Sequence, residues 1–362
     1  MEGSEGTMRP ERLFVAFVIL YFSAALVGKI VYSSFLGGIK PLPLVYALTF
    51  LLLLFAGLKI EIRVSSWIFF AAGTVLLVVL GWPYLLGGLA ALALLKFLMD
   101  NNALERGVAP AVVVSIALVI IASVLGGVPL LNPSLRFTWV RYLYLAAGYI
   151  TVGAVAAKPS LIPFIVGEGI AVAGTSRTIG VGVAVAYLMG VLYRSAKTKR
   201  PYLRKVLPIV ALLLLIVFLA RYSATVRGYS VWKLGFLGSL LYRPASSYTV
   251  YERLFQMGMP LGRHRLLFMD NPTYYVGRLF GKEIGYTYTL IGEPAYDFGI
   301  FGLLEALLIG TLLRKASKNP FTGAFALTVG TLMLDIGVEG TFLATLFYLA
   351  YLSRGEGDES ER

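Results

Sequence analysis

The chain reads as an all-α protein, a polytopic transmembrane helix bundle of about twelve spans with one large outer loop. Three features point that way. Hydrophobic residues make up 58% of the 362 and charged residues only 14%, with a mean hydropathy of +0.80; a soluble domain is about half apolar and roughly a quarter charged. Mostly apolar runs of about 18 residues or more recur along the whole length, each enough to cross a bilayer. The runs do not alternate in segments of about ten residues, as a transmembrane barrel requires.

In chain order the apolar runs place helices near 13–35, 41–58, 65–81, 83–99, 108–125, 139–157, 160–176, 178–195, 204–220, 294–314, 320–335 and 338–353. The opening "MEGSEGTMRPER" lacks a small-residue cleavage site, so Leu13 onward reads as a retained first span. Gly81 and Pro83 turn the chain between the third and fourth runs. Glycine and proline inside the runs suit a bundle in which neighbouring helices re-satisfy the backbone. The domains implied are 1–220 (nine spans), 221–292 (the outer loop), 293–353 (three spans) and 354–362 (a charged tail).

Short basic loops set the orientation. "YRSAKTKRPYLRK" (Tyr193 to Lys205) carries six basic residues and no acid, and "RKASK" (Arg314 to Lys318) carries three more. Both are expected in the cytoplasm. Alternating from them puts Lys59 and Arg63, Lys96 and Arg106, Lys158 and both termini on the same side. The expected location is the cell membrane, with 221–292 outside.

That outer segment breaks the positive-inside pattern. From Arg221 to Asp297 there are nine Lys or Arg, mostly Arg, against five acids. Long loops translocate regardless of charge, but the excess calls for an anionic partner at the outer surface. Anionic lipid headgroups are one such partner. Arginine also presents a planar fork to phosphate oxygens, and here it alternates with aromatics that suit sugar rings and the membrane interface, as in "RYSATVRGYSVWK" and "LYRPASSYTVYERLF". Single-stranded nucleic acid would accept the same mixture, but an outward loop of a membrane protein does not meet it. Arg221, Arg227, Arg243, Arg263, Arg265 and Arg278 are therefore candidate phosphate ligands.

The absence of cysteine excludes disulfides and a thiolate nucleophile. A single histidine, His264, cannot build a histidine metal cluster, and no metal-ligand motif is present. A neutral imidazole at His264 could act as a base, or the side chain could simply be an exposed polar group. Arg177, in "AGTSRTIG", sits in otherwise apolar sequence, where a charge is a functional candidate or a boundary residue reaching for headgroups. Glu168 lies nine residues before it.

The stretch "GYTYTLIGEPAYDFGIFGLLEALLIG" (Gly285 to Gly310) passes from polar and aromatic to apolar. Glu293 and Asp297 are i,i+4 and share a helix face. At the expected helix start they would serve as N-terminal caps or as acceptors for a hydroxyl proton. Gly299 and Gly302 would let another helix pack close. Asp335 and Glu339 are expected to cap the next hairpin.

"IGEPAYDFGIFG" resembles the GE-x-Y-x-D-F-G-x-x-G signature of oligosaccharide repeat-unit polymerases, the Wzy-type O-antigen polymerases and their archaeal relatives. "GTSR" around Arg177 resembles the Ser-Arg element of O-antigen polymerases and ligases, and the large outer loop before the last helices matches their layout. The resemblance implies a membrane glycosyltransferase of the C type, with no metal and no cofactor. Its donor and acceptor would be polyprenyl-diphosphate-linked oligosaccharides, and a chain-length regulator would be a possible partner beside the membrane lipids. Glu293 would be the base, with Asp297 or His264 behind it. Arg177 and the loop arginines would hold the diphosphate, and Tyr288 would contact substrate. Related ligases carry a histidine about a dozen residues before the glycine motif; here Tyr286 and Tyr288 occupy that region. The alternatives are a ligase-like transfer to another acceptor, a flippase for lipid-linked sugars, and a lipid-binding or assembly protein. Charge gathered at the outer rim, with only Glu168 and Glu305 deeper, favours surface chemistry over transport.

Overall fold

The computed structural model describes residues 9–61, 64–198, 203–228 and 234–353. Arg63, Lys233, residues 199–202 of the basic loop and the charged tail from 354 lie outside the described residues, as do the first eight. The described helices are α1 Pro10–Val31, α2 Ser33–Leu36, α3 Pro41–Gly57, α4 Ser66–Leu80, α5 Trp82–Asp100, α6 Val108–Gly126, α7 Val140–Ala157, α8 Leu161–Ala173, α9 Arg177–Thr198 and α10 Leu203–Gly228. They continue as α11 Phe236–Gly258, α12 Pro272–Leu279, α13 Thr289–Phe298, α14 Gly302–Ala316, α15 Pro320–Ile336 and α16 Gly340–Leu352.

Every predicted apolar run carries a helix. Among the described residues seven helical stretches are long and apolar enough to cross a membrane, and five shorter apolar helices accompany them. Their outward faces are apolar: Val113, Ile120 and Val124 on α6 and Leu48 and Leu52 on α3 are exposed. A row of such side chains suits lipid.

The chain divides into two units. The first comprises residues 95–239 with the N-terminal stretch through Leu13. Here α7 packs on α6 and α9, and α9 packs on α8 and α10. Small residues bring these helices together: a Cβ on Gly148 would lie 2.6 Å from Ile179, and one on Gly167 would lie 2.7 Å from Val183. Such close approach is how helices associate where the hydrophobic effect gives no drive.

The second unit comprises Phe14–Leu94 and Leu240–Arg362. Its main helix pairs are α3 with α14 and α4 with α16. Gly57 and Gly310 meet where α3 crosses α14, so closely that a Cβ on Gly310 would strike the Leu54 carbonyl oxygen. Trp67, Phe70, Tyr348 and Tyr351 interlock α4 with α16.

Two elements depart from the sequence expectation. The segment expected to lie outside contains a 23-residue helix, α11, whose inner face buries Tyr248, Tyr251 and Leu254. Burial, and then the charge of Glu252, lifts the Tyr248 hydroxyl above the ordinary tyrosine range. The helix expected over 294–314 starts earlier, at Thr289, and is interrupted at Gly299 before α14 resumes. Gly299 has φ +55, a conformation that costs a residue with a Cβ.

α11 is fastened by a buried ion pair. Lys29 Nζ lies 2.5 Å from Glu252 Oε2, with side chains 0% and 1% exposed. Glu252 also accepts from the Lys40 backbone N–H at 3.0 Å, and Lys29 donates to the Leu36 carbonyl at 3.3 Å. Gly28 lets the Leu241 and Ala245 turn of α11 settle on α1. Removing one partner leaves the other charge buried, at about 3–5 kcal/mol. Lys29→Met and Glu252→Gln are each expected to lower the melting temperature in detergent sharply. The paired replacement should recover most of the loss, and equal, additive losses would contradict the pairing.

Candidate functional site

The interruption at Gly299 gives the conspicuous motif its geometry. α13 ends at Phe298, so Asp297 stands near the C-terminal end of a helix and Glu293 in its middle. The expected N-terminal capping is therefore not what these carboxylates do; the N-cap position of α13 is Tyr288. Asp297 instead reaches the chain 30 to 32 residues back. Its Oδ1 accepts the backbone N–H groups of Arg265 (2.9 Å) and Leu266 (2.7 Å), and its Oδ2 accepts that of Leu267 (2.7 Å). Three backbone donors on one fully buried carboxylate form strong, charge-assisted bonds.

Backbone contacts continue this strap. Arg263 N–H donates to the Tyr296 carbonyl at 2.8 Å, His264 N–H to the Asp297 carbonyl at 3.1 Å, and Ile300 N–H to the Pro260 carbonyl at 3.0 Å. Glycines make the approach possible. A Cβ would strike the Ala295 carbonyl oxygen at Gly258, that of Asp297 at Gly262 and that of Pro260 at Gly299. Gly299 thus admits a loop, and Gly302 admits the Pro294 carbonyl and the Tyr46 hydroxyl; the pair is not a helix-crossing motif.

The strap holds "GRHRLLF" against the motif. Leu266 and Leu267 turn inward, and Arg263, His264 and Arg265 point out. Leu266 joins a core with Leu254, Val276, Tyr288 and Tyr296. His264 has φ +52, a strained backbone for a residue with a side chain, and its ring meets Phe298 edge-on at 5.9 Å. Arg263 Nε donates to the Met257 carbonyl at 2.8 Å. The Arg265 guanidinium lies 5.2 Å from the centre of the Tyr275 ring, whose hydroxyl meets that of Tyr296 at 3.1 Å. An imidazole flanked by two oriented guanidiniums is thereby displayed on a rigid support. Arg278 is exposed at the last turn of α12, the helix that carries Tyr275.

Other predicted site residues fall elsewhere. Glu293 is completely buried, its carboxyl beside those of Glu305 and Asp297. Tyr288, expected to contact substrate, is 0% exposed; its hydroxyl donates to the Val338 carbonyl at 3.0 Å and its ring fills the space beside Gly337. Asp335 pairs with Arg243, Nε to Oδ1 at 3.5 Å. Arg177, Arg221 and Arg227 belong to the first unit. There Arg177 opens α9, Arg221 Nη1 donates to the Thr175 carbonyl at 3.4 Å, and Arg227 Nη2 donates to the Leu130 carbonyl at 2.6 Å. Arg227 also lines a cavity of about 270 Å³ with Asn132, Ser134 and Arg136. Arg136 escaped the sequence reading because it lies in a short connection outside the basic segment. Among the described residues no cluster of three or more His, Asp or Glu could hold a metal ion.

A family model described as "Putative O-antigen polymerase" matches residues 9–351. The chain belongs to that family. No curated protein matches it, and no solved structure does. An O-antigen polymerase is a multi-pass membrane enzyme of the glycosyltransferase type that joins lipid-linked repeat units, and the apolar helices agree with that setting.

Two substitutions test the strap. Asp297→Asn should cost about 2–4 kcal/mol, because charge-assisted bonds weaken and one backbone N–H faces an amide. Hydrogen exchange at 265–267 should rise selectively, and unchanged protection would refute the clamp. Gly299→Ala combines a positive φ with a clash against Pro260, for at least about 3 kcal/mol; a melting temperature equal to wild type would contradict it.

Proposed function

We propose that this O-antigen polymerase extends polyprenyl-diphosphate-linked oligosaccharides at the outer face of the membrane, with His264 as the base and Arg263 and Arg265 beside the leaving group. What carries the reading is the exposed Arg263–His264–Arg265 triplet, strapped to the signature motif of a chain in this family. The hydroxyl of the acceptor sugar attacks the anomeric carbon of the donor glycan. As the new C–O bond forms, the bond from that carbon to the diphosphate breaks. The hydroxyl proton goes to the His264 imidazole, and the lipid diphosphate leaves with added negative charge. Fixed guanidiniums meet that charge as it develops, which lets the step run without a metal or another cofactor.

Access supports this order of roles. A base must come within hydrogen-bond reach of the hydroxyl. His264 is exposed, Glu293 is sealed, and both oxygens of Asp297 are taken by backbone N–H groups. Asp297 is thus a positioning residue that acts through the loop. Arg278 is a further candidate for the diphosphate in the same unit. All twelve apolar helices would cross the bilayer. The basic loops at 193–205 and 314–318 would then be cytoplasmic, with both termini on that side and the triplet outside.

Protein in lipid nanodiscs, supplied with its host's lipid-linked oligosaccharide, should yield a ladder of repeat-unit multiples on a gel. His264→Ala should slow the ladder by about 100-fold or more, Arg265→Ala should also slow it, and Glu293→Gln should still build it. A ladder at the wild-type rate from His264→Ala, with none from folded Glu293→Gln, would return the base to Glu293. No ladder from folded wild type with both substrates present would refute the polymerase reading.

A further inference from the structure

The Arg243–Asp335 pair lies in a polar cluster that the diphosphate chemistry leaves unexplained. Tyr21 from α1 donates its hydroxyl to Asp335 Oδ1 at 3.3 Å, and Ser247 of α11 lies close to that hydroxyl. Ser247 Oγ meets Thr287 Oγ1 at 2.8 Å. Four chain segments thus converge: α1, α11, the approach to α13 and the end of α15. Arg243 and Asp335 are each 33% exposed. The Arg243 Nε meets Asp335 as an ion pair at 3.5 Å and is buried without a hydrogen-bond partner among the described residues.

Stability alone does not account for this cluster. A part-exposed ion pair contributes at most about 1 kcal/mol, and α11 is already fixed by the buried Lys29–Glu252 pair. A phosphate ligand fits poorly, because Asp335 cancels the charge of Arg243 and repels an anion. A sugar fits well. Each sugar hydroxyl both donates and accepts, so one can give its proton to Asp335 while a neighbour accepts from Arg243. The part-exposed Thr287 adds a hydroxyl of either sense, held in place by the buried Ser247. A few placed polar side chains are how a site orients a polar ligand.

We propose that Arg243 and Asp335, with Thr287 beside them and with Tyr21 and the buried Ser247 as positioning residues, bind adjacent hydroxyls of a neutral sugar in the glycan, and that Arg243 is not a diphosphate ligand. This rests on the polymerase reading for the identity of the glycan. The cluster lies at the end of the α15–α16 hairpin, and the Leu267 carbonyl of the strapped loop reaches Gly340 of that hairpin. The sugar site and the His264 loop therefore border the same turn.

The probes are the lipid-free oligosaccharide, released from the host carrier by mild acid, and farnesyl diphosphate. Binding of each to full-length protein in nanodiscs is measured directly. Asp335→Asn and Arg243→Gln should weaken oligosaccharide binding at least tenfold and leave farnesyl diphosphate binding within twofold. The double variant Ser247→Ala, Thr287→Val keeps the ion pair and should weaken the oligosaccharide several-fold, which guards against misfolding of the charge variants. Unchanged oligosaccharide affinity in all three, or equal loss of farnesyl diphosphate binding in Arg243→Gln, would overturn the proposal. The ladder assay separates the two claims. A wild type without a ladder whose oligosaccharide binding still needs Asp335 would sink the polymerase reading alone. An Asp335→Asn ladder with unchanged acceptor KM would sink this inference alone.

Discussion

One buried carboxylate organises the part of this protein that carries the GEPAYDFGIFG motif. Asp297 takes three consecutive backbone N–H groups from a loop some thirty residues earlier. Without it those donors would be buried and unsatisfied, which is costly. With it, "RHRLLF" is bound to "YDFG" closely enough that glycine is required at Gly262 and Gly299. The distinctive spelling of the motif is thus a matter of backbone approach.

The division of labour among charges follows from burial. Lys29 and Glu252 neutralise one another in the interior and hold α11 in place. Arg243 is neutralised by Asp335 and suits hydroxyls. Arg263, Arg265 and Arg278 stay exposed and are free of carboxylate partners among the described residues. Basic side chains that look alike in the sequence therefore do different jobs. The positive excess between Arg221 and Asp297 is real, but only part of it is available to an anion.

The helix positions were legible because an apolar run of membrane length has to satisfy its backbone internally, and a helix does so within one segment. The interruption at Gly299 was not, since glycine is ordinary inside membrane helices and only the Pro260 contact reveals its positive φ. Helix α11 was hidden by its composition: Tyr, Arg and Ser dilute the apolar signal, and its buried face shows only once Tyr248, Tyr251 and Leu254 are seen inward. Glu293 and Asp297 were rightly placed on one helix, but a start was read where an end lies, because nothing local shows that the chain begins to coil at Thr289. His264 needed the loop to fold back, and the partners that fold it back are backbone N–H groups, which leave no trace in a pattern of side chains.

His264 is the only histidine, so protein labelled with ¹⁵N-histidine carries a single imidazole reporter. Its spectrum in nanodiscs, recorded with and without farnesyl diphosphate, tests whether the clamped loop presents imidazole and guanidiniums to one ligand. A diphosphate-induced shift in wild type that is lost in folded Asp297→Asn is the expected result. An imidazole signal that ignores farnesyl diphosphate in wild type, or that responds equally in Asp297→Asn, would contradict the account.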